Sequence, residues 1–447
     1  MHTQTVARAL AVPLTAVLLA APAAHARGET AEPTPQAPVT VPPTGGTPVL
    51  DPGSDSGDAS RGHYEGENFV HAPRTAAPDT NSCPQATWPP QPVSTSEAAP
   101  AGSSPTPLPV TYQGPCGVTV PAGFNVDDTV LASAFLVADI DSGDILAMKD
   151  PHGRYRPASI IKVLLALVAI DELPLDKVVT ASAETASQEG SLVGLVEGGT
   201  YTVDDLLHGL LLASGNDAAH ALAQELGGDA AAGQKVNALA QRLGMRDTRA
   251  VSYSGLDAPG MSSSVYDLGL AYQAAFRNPT FARIVDTDYY DFPGHADLPG
   301  YQVWNDNHLY LEDPEGIGGK TGYTDDANHT FVGAVNHDGR RLVAVLLDTT
   351  SDKARPWEQA QRLLHESYRF TDAQGVDKLG ASSPAGATQV TETATPGSSS
   401  EPSAVAGGAD HAPTPWRSVA IVAGVVGAAL LALALSLASR ARARRRR

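Results

Sequence analysis

The chain has 447 residues and a formal net charge of −19 at pH 7. This length suits more than one domain, and its acidity argues against a nucleic-acid partner, since the phosphate backbone would repel it. Pro and Gly are concentrated before about Cys83 and after about Asp372, which leaves a globular middle of roughly 250 residues that can bury a large core.

The first 26 residues predict a secretory signal peptide. Arg8 supplies a positive charge, Ala9–Ala21 is apolar, and Ala24 and Ala26 flank His25 in a small-x-small cleavage site. The sequence therefore predicts that the rest of the chain is exported.

Residues 27–116 are rich in Pro, Gly and Thr and lack hydrophobic periodicity, which predicts a disordered leader. The leader contains the chain's two cysteines, Cys83 and Cys116. In an oxidising compartment we expect them to form a disulfide. Their spacing matches no CxxC or Cys/His metal motif, and no metal or cofactor is expected.

The globular domain is predicted to span residues 117–371 and to open with a β-hairpin. Ser133–Asp139 and Ile145–Met148 are apolar runs on either side of an Asp/Ser/Gly turn. The next element is an apolar helix over Ile160–Leu173, which ends before Pro174.

The start of this helix carries the first motif, Ser159-Ile-Ile-Lys162. Residues three apart share a helix face, so the Lys162 amine lies one turn from the Ser159 hydroxyl. Apolar neighbours would depress the pKa of Lys162 and let it act as a base. Alone the motif is weak, because a serine at a helix start is most often only a cap.

The second motif, Ser214-Gly-Asn216, follows an apolar helix and precedes another. A hydroxyl and an amide on a tight turn could relay a proton and hold a substrate carbonyl. In isolation a helix cap is the better interpretation. Helices are predicted around it at Val203–Leu212, Ala218–Leu226 and Gln234–Leu243.

The third motif, Lys320-Thr321-Gly322, lies on a predicted strand, Ile317–Tyr323. A lysine and a threonine hydroxyl suit a carboxylate, and Gly322 would let a substrate lie against the strand; an ordinary exposed strand is the alternative. A hairpin of Thr330–Asn336 with Arg341–Leu347 and a helix over residues 356–370 follow.

Strands at both ends of the domain and helices between them predict an α/β (α+β) fold. One antiparallel sheet would be built from both chain ends, with an inserted helical lobe packed against it and a cleft along the seam.

Residues 372–415 predict a flexible stalk. Ser418–Ser439 is free of charge and long enough to span a bilayer, with Trp416 at its outer edge. Six arginines within residues 440–447 place the tail in the cytoplasm. The sequence thus predicts a single-pass cell-membrane protein, with a transmembrane helix at 416–439 and an extracellular catalytic domain.

Together the three motifs match the SxxK, SDN-type and KTG signature of penicillin-binding proteins and class A β-lactamases. From about Ala132 to Ser351 the chain resembles D-alanyl-D-alanine carboxypeptidases, the low-molecular-mass penicillin-binding proteins. Residues 138–143, 156–159, 243–245, 254–257 and 318–324 carry the likeness.

This resemblance implies a β-lactamase/DD-peptidase-like fold and removal of the terminal D-alanine from peptidoglycan stem peptides, with β-lactams as covalent inhibitors. Ser159 would be the nucleophile and Lys162 its base. The other implied roles are proton transfer and substrate grip by Ser214 and Asn216, carboxylate binding by Lys320 and Thr321, close substrate approach at Gly322, and a second oxyanion donor at the amide of Tyr323.

The chain departs from the family pattern in two places. Many members follow the third motif with a glycine pair and an arginine, but residues 347–351 are Leu-Asp-Thr-Thr-Ser; Lys353 or Arg355 is the candidate replacement. The β-sheet domain that follows the catalytic body in many members is replaced by the predicted stalk.

Two other functions share some of these features. A β-lactamase would need a carboxylate for the deacylating water, but no glutamate occurs between Glu225 and Glu312, and Gly215 replaces the usual aspartate. An inert cell-wall binding module would not require the complete motif set. Endopeptidase and transpeptidase activities stay open. A metallopeptidase is disfavoured because the histidines His208, His220, His308 and His329 are scattered.

Overall fold

The computed structural model describes residues 61–65, 68–94, 105–296 and 298–380. The helices are α1 Lys162–Glu172, α2 Ala183–Ala186, α3 Val203–Leu212, α4 Asn216–Glu225, α5 Asp229–Leu243, α6 Val265–Arg277, α7 Pro279–Val285, α8 His308–Glu312 and α9 Pro356–Ser367, with 3₁₀ turns at Ala158–Ile161 and Asp372–Gln374. The strands are β1 Gly62–Glu65, β2 Asn68–His71, β3 Val118–Thr119, β4 Ala134–Asp139, β5 Asp144–Lys149, β6 Val178–Thr180, β7 Thr200–Thr202, β8 Tyr289–Phe292, β9 Tyr301–Trp304, β10 Gly316–Thr324, β11 Asn328–His337, β12 Arg340–Thr349 and β13 Asp377–Lys378.

The central sheet has the strand order β10-β11-β12-β4-β5-β13, with β3 also paired to β5. All of these pairs are antiparallel. The sheet therefore joins strands from the beginning and the end of the domain, which confirms the predicted architecture. Within the described sheet β10 is an edge strand, so its outer edge is open to a substrate.

The helical lobe is inserted between β5 and β10 and packs on one face of the sheet. Its helix α1 is buried along most of its length, with Val163, Leu164 and Leu165 fully inaccessible. A second, smaller apolar cluster fills the other face, where α9 packs with Leu363 and Leu364. The sheet is thus covered on both faces, and the cleft opens at the β10 edge.

The predicted hairpins and most predicted helices agree with the structure to within a few residues. Helix α6 and the short hairpins β6–β7 and β8–β9 were not predicted. Helix α6 is buried almost throughout.

Disorder was the prediction for the whole leader, but its described part is folded onto the catalytic domain. Cys83 and Cys116 form a disulfide with a Cα–Cα distance of 5.3 Å. The buried Asp326 carboxylate accepts hydrogen bonds from the amides of Val93 at 2.6 Å and Ser94 at 2.8 Å. Composition is therefore not a reliable guide to disorder in this segment.

Backbone carbonyls explain why a proline-rich segment can dock in this way. Proline lacks an N–H donor but keeps its carbonyl acceptor. The buried Arg154 guanidinium donates to the carbonyls of Thr87, Leu108 and Pro109 at 2.7–2.9 Å, and Arg156 donates to that of Pro90 at 2.6 Å. These arginines supply hydrogen-bond donors to the carbonyls of the leader. The leader can therefore dock although its sequence has no hydrophobic pattern.

The predicted stalk also begins later than residue 372. Strand β13 pairs with β5 through Asp377 and Lys378, and Val376 donates its amide to the Ile145 carbonyl at 2.7 Å. Leu379 is buried in the main core. The folded domain therefore extends to Gly380.

The predicted signal peptide, the remaining stalk, the transmembrane helix and the arginine tail lie outside the described residues. Among the residues that are described, the helices are all too short or too polar to span a bilayer.

Candidate active site

Ser159 and Lys162 meet where the 3₁₀ turn runs into α1. Lys162 Nζ lies within hydrogen-bonding distance of Ser159 Oγ at 2.9 Å, of Asn216 Oδ1 at 2.7 Å and of the Ser254 carbonyl at 2.6 Å. Lys162 is fully buried, and this desolvation, reinforced by the positive charge of Lys320, holds the pKa of Lys162 well below its ordinary value. A neutral amine beside a hydroxyl can accept its proton.

The backbone around the nucleophile is held in uncommon conformations. Ala158 has φ of 48° and Ser214 has φ of 61°, both in the left-handed region. Gly255, with φ of 88°, passes so close to the Ala158 carbonyl that an added Cβ would collide with it. Strain of this kind is typical of functional sites, where surrounding contacts fix the geometry.

Ser214 lies in the turn between α3 and α4, and Asn216 is the first residue of α4. Asn216 does not cap the helix; its Oδ1 accepts from Lys162 and its Nδ2 donates to the Glu189 carbonyl at 2.6 Å. Ser214 Oγ is buried and has no hydrogen-bond partner among the described residues. The helix-cap interpretation of this motif is therefore wrong for Asn216.

The third motif forms the opposite wall. Lys320 is fully buried, and burial lowers the pKa of its ammonium group although the Asp306 carboxylate 3.7 Å away opposes this effect. Thr321 donates from its hydroxyl to Asp306 at 2.7 Å. A Cβ at Gly322 would lie 3.0 Å from the Ser159 amide nitrogen and collide with the Thr330 hydroxyl, so only glycine fits.

The structure thus brings the predicted site residues to one cleft. The Ser159 amide lies next to Gly322, and the Tyr323 amide follows directly on the same strand. The third-motif strand therefore runs directly beside Ser159.

Three groups at the site were missed by the sequence reasoning. Asp306 contacts both side chains of the third motif. Asp217 is buried and accepts hydrogen bonds from the amides of residues 193–195 at 2.7–2.9 Å, which fixes the loop that faces the cleft. The Ser254 carbonyl contacts Lys162. The polar run Asn305-Asp306-Asn307 in an otherwise apolar and aromatic stretch was an available signal for Asp306.

The proposed replacements for the missing arginine are not in the cleft. Lys353 pairs with Asp128 at 3.1 Å, and Arg355 precedes α9 as its N-cap. Two leader arginines, Arg61 and Arg74, instead pair with the buried Asp348 at 3.3 Å. Burial alone would raise the pKa of Asp348, but these two guanidinium groups lower it to about 2.

Comparison with known proteins agrees with this geometry. The family model for D-alanyl-D-alanine carboxypeptidase, Peptidase S11, matches residues 122–351, about half of the chain. The chain is 43% identical over 252 residues to D-alanyl-D-alanine carboxypeptidase DacB2 of Mycobacterium tuberculosis, covering 56% of this chain and 86% of that protein.

Solved structures give the same result. The crystal structure of a D-alanyl-D-alanine carboxypeptidase from M. tuberculosis is 41% identical, with a TM-score of 0.56, and the similarity covers 58% of this chain and all of that one. A mutant of the Streptomyces K15 DD-transpeptidase is 27% identical with a TM-score of 0.52, covering 55% of this chain and all of that one. The chain therefore belongs to the D-alanyl-D-alanine carboxypeptidase family, whose members are serine peptidases of the cell wall that act outside the cytoplasm.

Proposed function

We propose that this protein removes the terminal D-alanine of peptidoglycan stem peptides through an acyl-enzyme on Ser159. The observation that supports this most directly is the contact between the buried Lys162 amine and the Ser159 hydroxyl at 2.9 Å. Nucleophilic catalysis by serine requires a base within hydrogen-bonding reach.

In the proposed acylation step, neutral Lys162 takes the proton of Ser159 Oγ as that oxygen attacks the carbonyl carbon of the penultimate D-alanine. The amides of Ser159 and Tyr323 stabilise the negative charge on the carbonyl oxygen. The C–N bond to the terminal D-alanine then breaks, and the leaving nitrogen receives a proton through Ser214. Water subsequently cleaves the ester and regenerates the Ser159 hydroxyl.

The substrate is oriented by the two walls of the cleft. Its terminal carboxylate lies toward the Lys320 ammonium and the Thr321 hydroxyl, and its backbone runs beside the open edge of β10 at Gly322. Asn216 holds the substrate from the other wall while its side-chain oxygen also positions Lys162. β-Lactams enter the same cleft and acylate the same hydroxyl.

The products formed from a pentapeptide stem test this function. The protein should release free D-alanine and leave a tetrapeptide, detected by mass spectrometry, and the Ser159→Ala variant should do neither and fail to bind a fluorescent penicillin covalently. Adding an amino-acid acceptor distinguishes transpeptidation, which would give a new, heavier peptide. Penicillin labelling of folded Ser159→Ala would refute the assignment of the nucleophile.

We also propose that Ser418–Ser439 anchors the protein in the cell membrane with the catalytic domain outside. The support is its charge-free length and the arginines that follow. Protease added to intact cells should release an active domain, whereas a catalytic domain that stays protected would refute this topology.

A further inference from the structure

The leader hairpin, made of the paired strands β1 and β2, contacts the catalytic domain at the end of the third-motif strand. Tyr64 donates from its hydroxyl to Asp325 at 3.0 Å, and His71 Nε2 lies 2.9 Å from the Tyr323 hydroxyl. Tyr323 in turn donates to Asp325 at 3.0 Å. The hairpin lies outside the segment that matches the family, which begins at residue 122.

Strong contacts hold the hairpin in this place. Arg61 donates to the Asp326 carbonyl at 3.0 Å and pairs with Asp348, which also pairs with Arg74 after the hairpin. The rings of Tyr64 and Phe69 pack across the two strands with centroids 5.1 Å apart. These contacts fix the hairpin against the catalytic domain.

The direction of the bound peptide follows from the proposed function. The terminal carboxylate lies toward Lys320 and Thr321, and the scissile carbonyl lies between the amides of Ser159 and Tyr323. The rest of the stem must then leave in the other direction along β10, toward Asp325. Strand residues are spaced about 3.3 Å apart, so Thr324 at the end of β10 lies roughly 6–7 Å beyond Gly322. Asp325 is the next residue, in the turn to β11, within reach of an extended side chain on the residue before the two D-alanines.

The chemistry at this end of the cleft favours a cation. The Asp325 carboxylate is oriented by two tyrosine hydroxyls, and no lysine or arginine among the described residues pairs with it. The nearby Asp348, by contrast, is neutralised by two guanidinium groups. Tyr64 is 40% exposed and Tyr323 is 43% exposed. Their rings can therefore contact the aliphatic part of a substrate side chain.

We propose that the leader hairpin and Asp325 together form a specificity site for the stem peptide, which selects a side-chain amino group on the residue before the D-alanine pair. The Asp325 carboxylate accepts from this amino group, and Tyr64 orients the carboxylate. This inference rests on the proposed direction of the substrate in the cleft.

Two peptides test it: Nα-acetyl-L-Lys-D-Ala-D-Ala and the same peptide acetylated at Nε. The wild-type protein should favour the free amine about three- to fivefold in kcat/KM, as expected for one partly exposed charge pair. Asp325→Asn should bring the ratio close to one, and Tyr64→Phe should lower it part of the way. The readout is the ratio of kcat/KM for the two peptides. A variant that hydrolyses both more slowly, and to the same extent, therefore leaves it unchanged.

Asp288→Asn is the matched control, because Asp288 also accepts from a tyrosine hydroxyl, that of Tyr310, at 3.0 Å. It should keep the wild-type ratio. A wild-type ratio near one, or an unchanged ratio in Asp325→Asn, would overturn the specificity site while D-alanine release still stands. Failure of the wild-type protein to hydrolyse either peptide would overturn the proposed function and this inference with it.

Discussion

At the scale of single residues, the site depends on a lysine whose charge is suppressed by its surroundings. Full burial and the nearby Lys320 lower the pKa of Lys162, while its amine still reaches the nucleophile and two acceptors. A lysine with its ordinary pKa would be protonated at neutral pH and could not take a proton from Ser159.

The pH dependence of acylation should follow the charge of Lys162. Because its pKa is lowered, the neutral base is present above that pKa and is lost as the pH falls through it. The rate of labelling by penicillin should therefore drop about tenfold per pH unit on the acid side. Lys162→Arg should be nearly inactive, since arginine stays protonated. A flat rate between about pH 5 and 9 would contradict a lysine base.

Asp306 is predicted to weaken substrate binding. Its carboxylate accepts from the Thr321 hydroxyl and faces Lys320, the two donors proposed for the substrate carboxylate. Asp306→Asn removes a like charge but keeps an acceptor for Thr321. Removing a repulsion of about 1 kcal/mol between this carboxylate and that of the substrate should lower KM for a D-Ala-D-Ala peptide about fivefold.

Steady-state kinetics separates this effect from a loss of geometry. Asp291→Asn, at a surface position that contacts Gln302, is the control and should leave KM unchanged. A higher KM in Asp306→Asn would show that the carboxylate positions the third motif instead of opposing the substrate.

At the scale of elements, the sequence predicted those parts of the structure that depend on residues close together in the chain. The three motifs have short-range signatures, and the hairpin β4–β5 has an alternating pattern with a turn, so each was recognised. The docked leader was not, because its own backbone groups are held by distant side chains, such as those of Arg154 and of Asp326, which is more than 200 positions from Val93 in the chain. Asp306 was missed for a similar reason, since only the fold brings it to Thr321.

The disulfide should stabilise the leader more than it stabilises the helical lobe. It closes a loop between residues 33 apart, for which chain entropy predicts ~3–4 kcal/mol. The double variant Cys83→Ser, Cys116→Ser should unfold at a lower temperature, and limited proteolysis should cut first within residues 84–115. Initial cleavage inside the helical lobe would contradict this order, and the untreated wild type serves as the control.

At the scale of the whole molecule, the folded domain uses chain from both sides of the family segment. The leader residues Arg61 and Arg74 contact the chain at the ends of β10 and β12, and residues 376–379 complete the sheet beside β5. The domain that folds as a unit is therefore longer at each end than the segment that carries the catalytic motifs.

The C-terminal boundary can be tested by truncation. A chain that ends at Gly380 keeps β13 and the buried Leu379, whereas one that ends at Thr371 loses both. The shorter chain should be less stable by about 2–5 kcal/mol, the range for truncation of a buried leucine side chain, and both should hydrolyse a soluble D-Ala-D-Ala peptide. Equal midpoints in denaturant would show that residues 372–380 add nothing to the fold.

The leader contacts also set the order in which the molecule can be completed. Arg61 and Asp348 are 287 positions apart, Arg74 and Asp352 are 278 apart, and Val93 and Asp326 are 233 apart. Contacts of such long range form late in folding, because the intervening chain must first become ordered. During synthesis the leader therefore emerges long before Asp326, Asp348 and Asp352, the residues that hold it. A chain that has not yet completed β12 lacks the partner of Arg61 and Arg74, so the proposed specificity site would form only after β12 has folded.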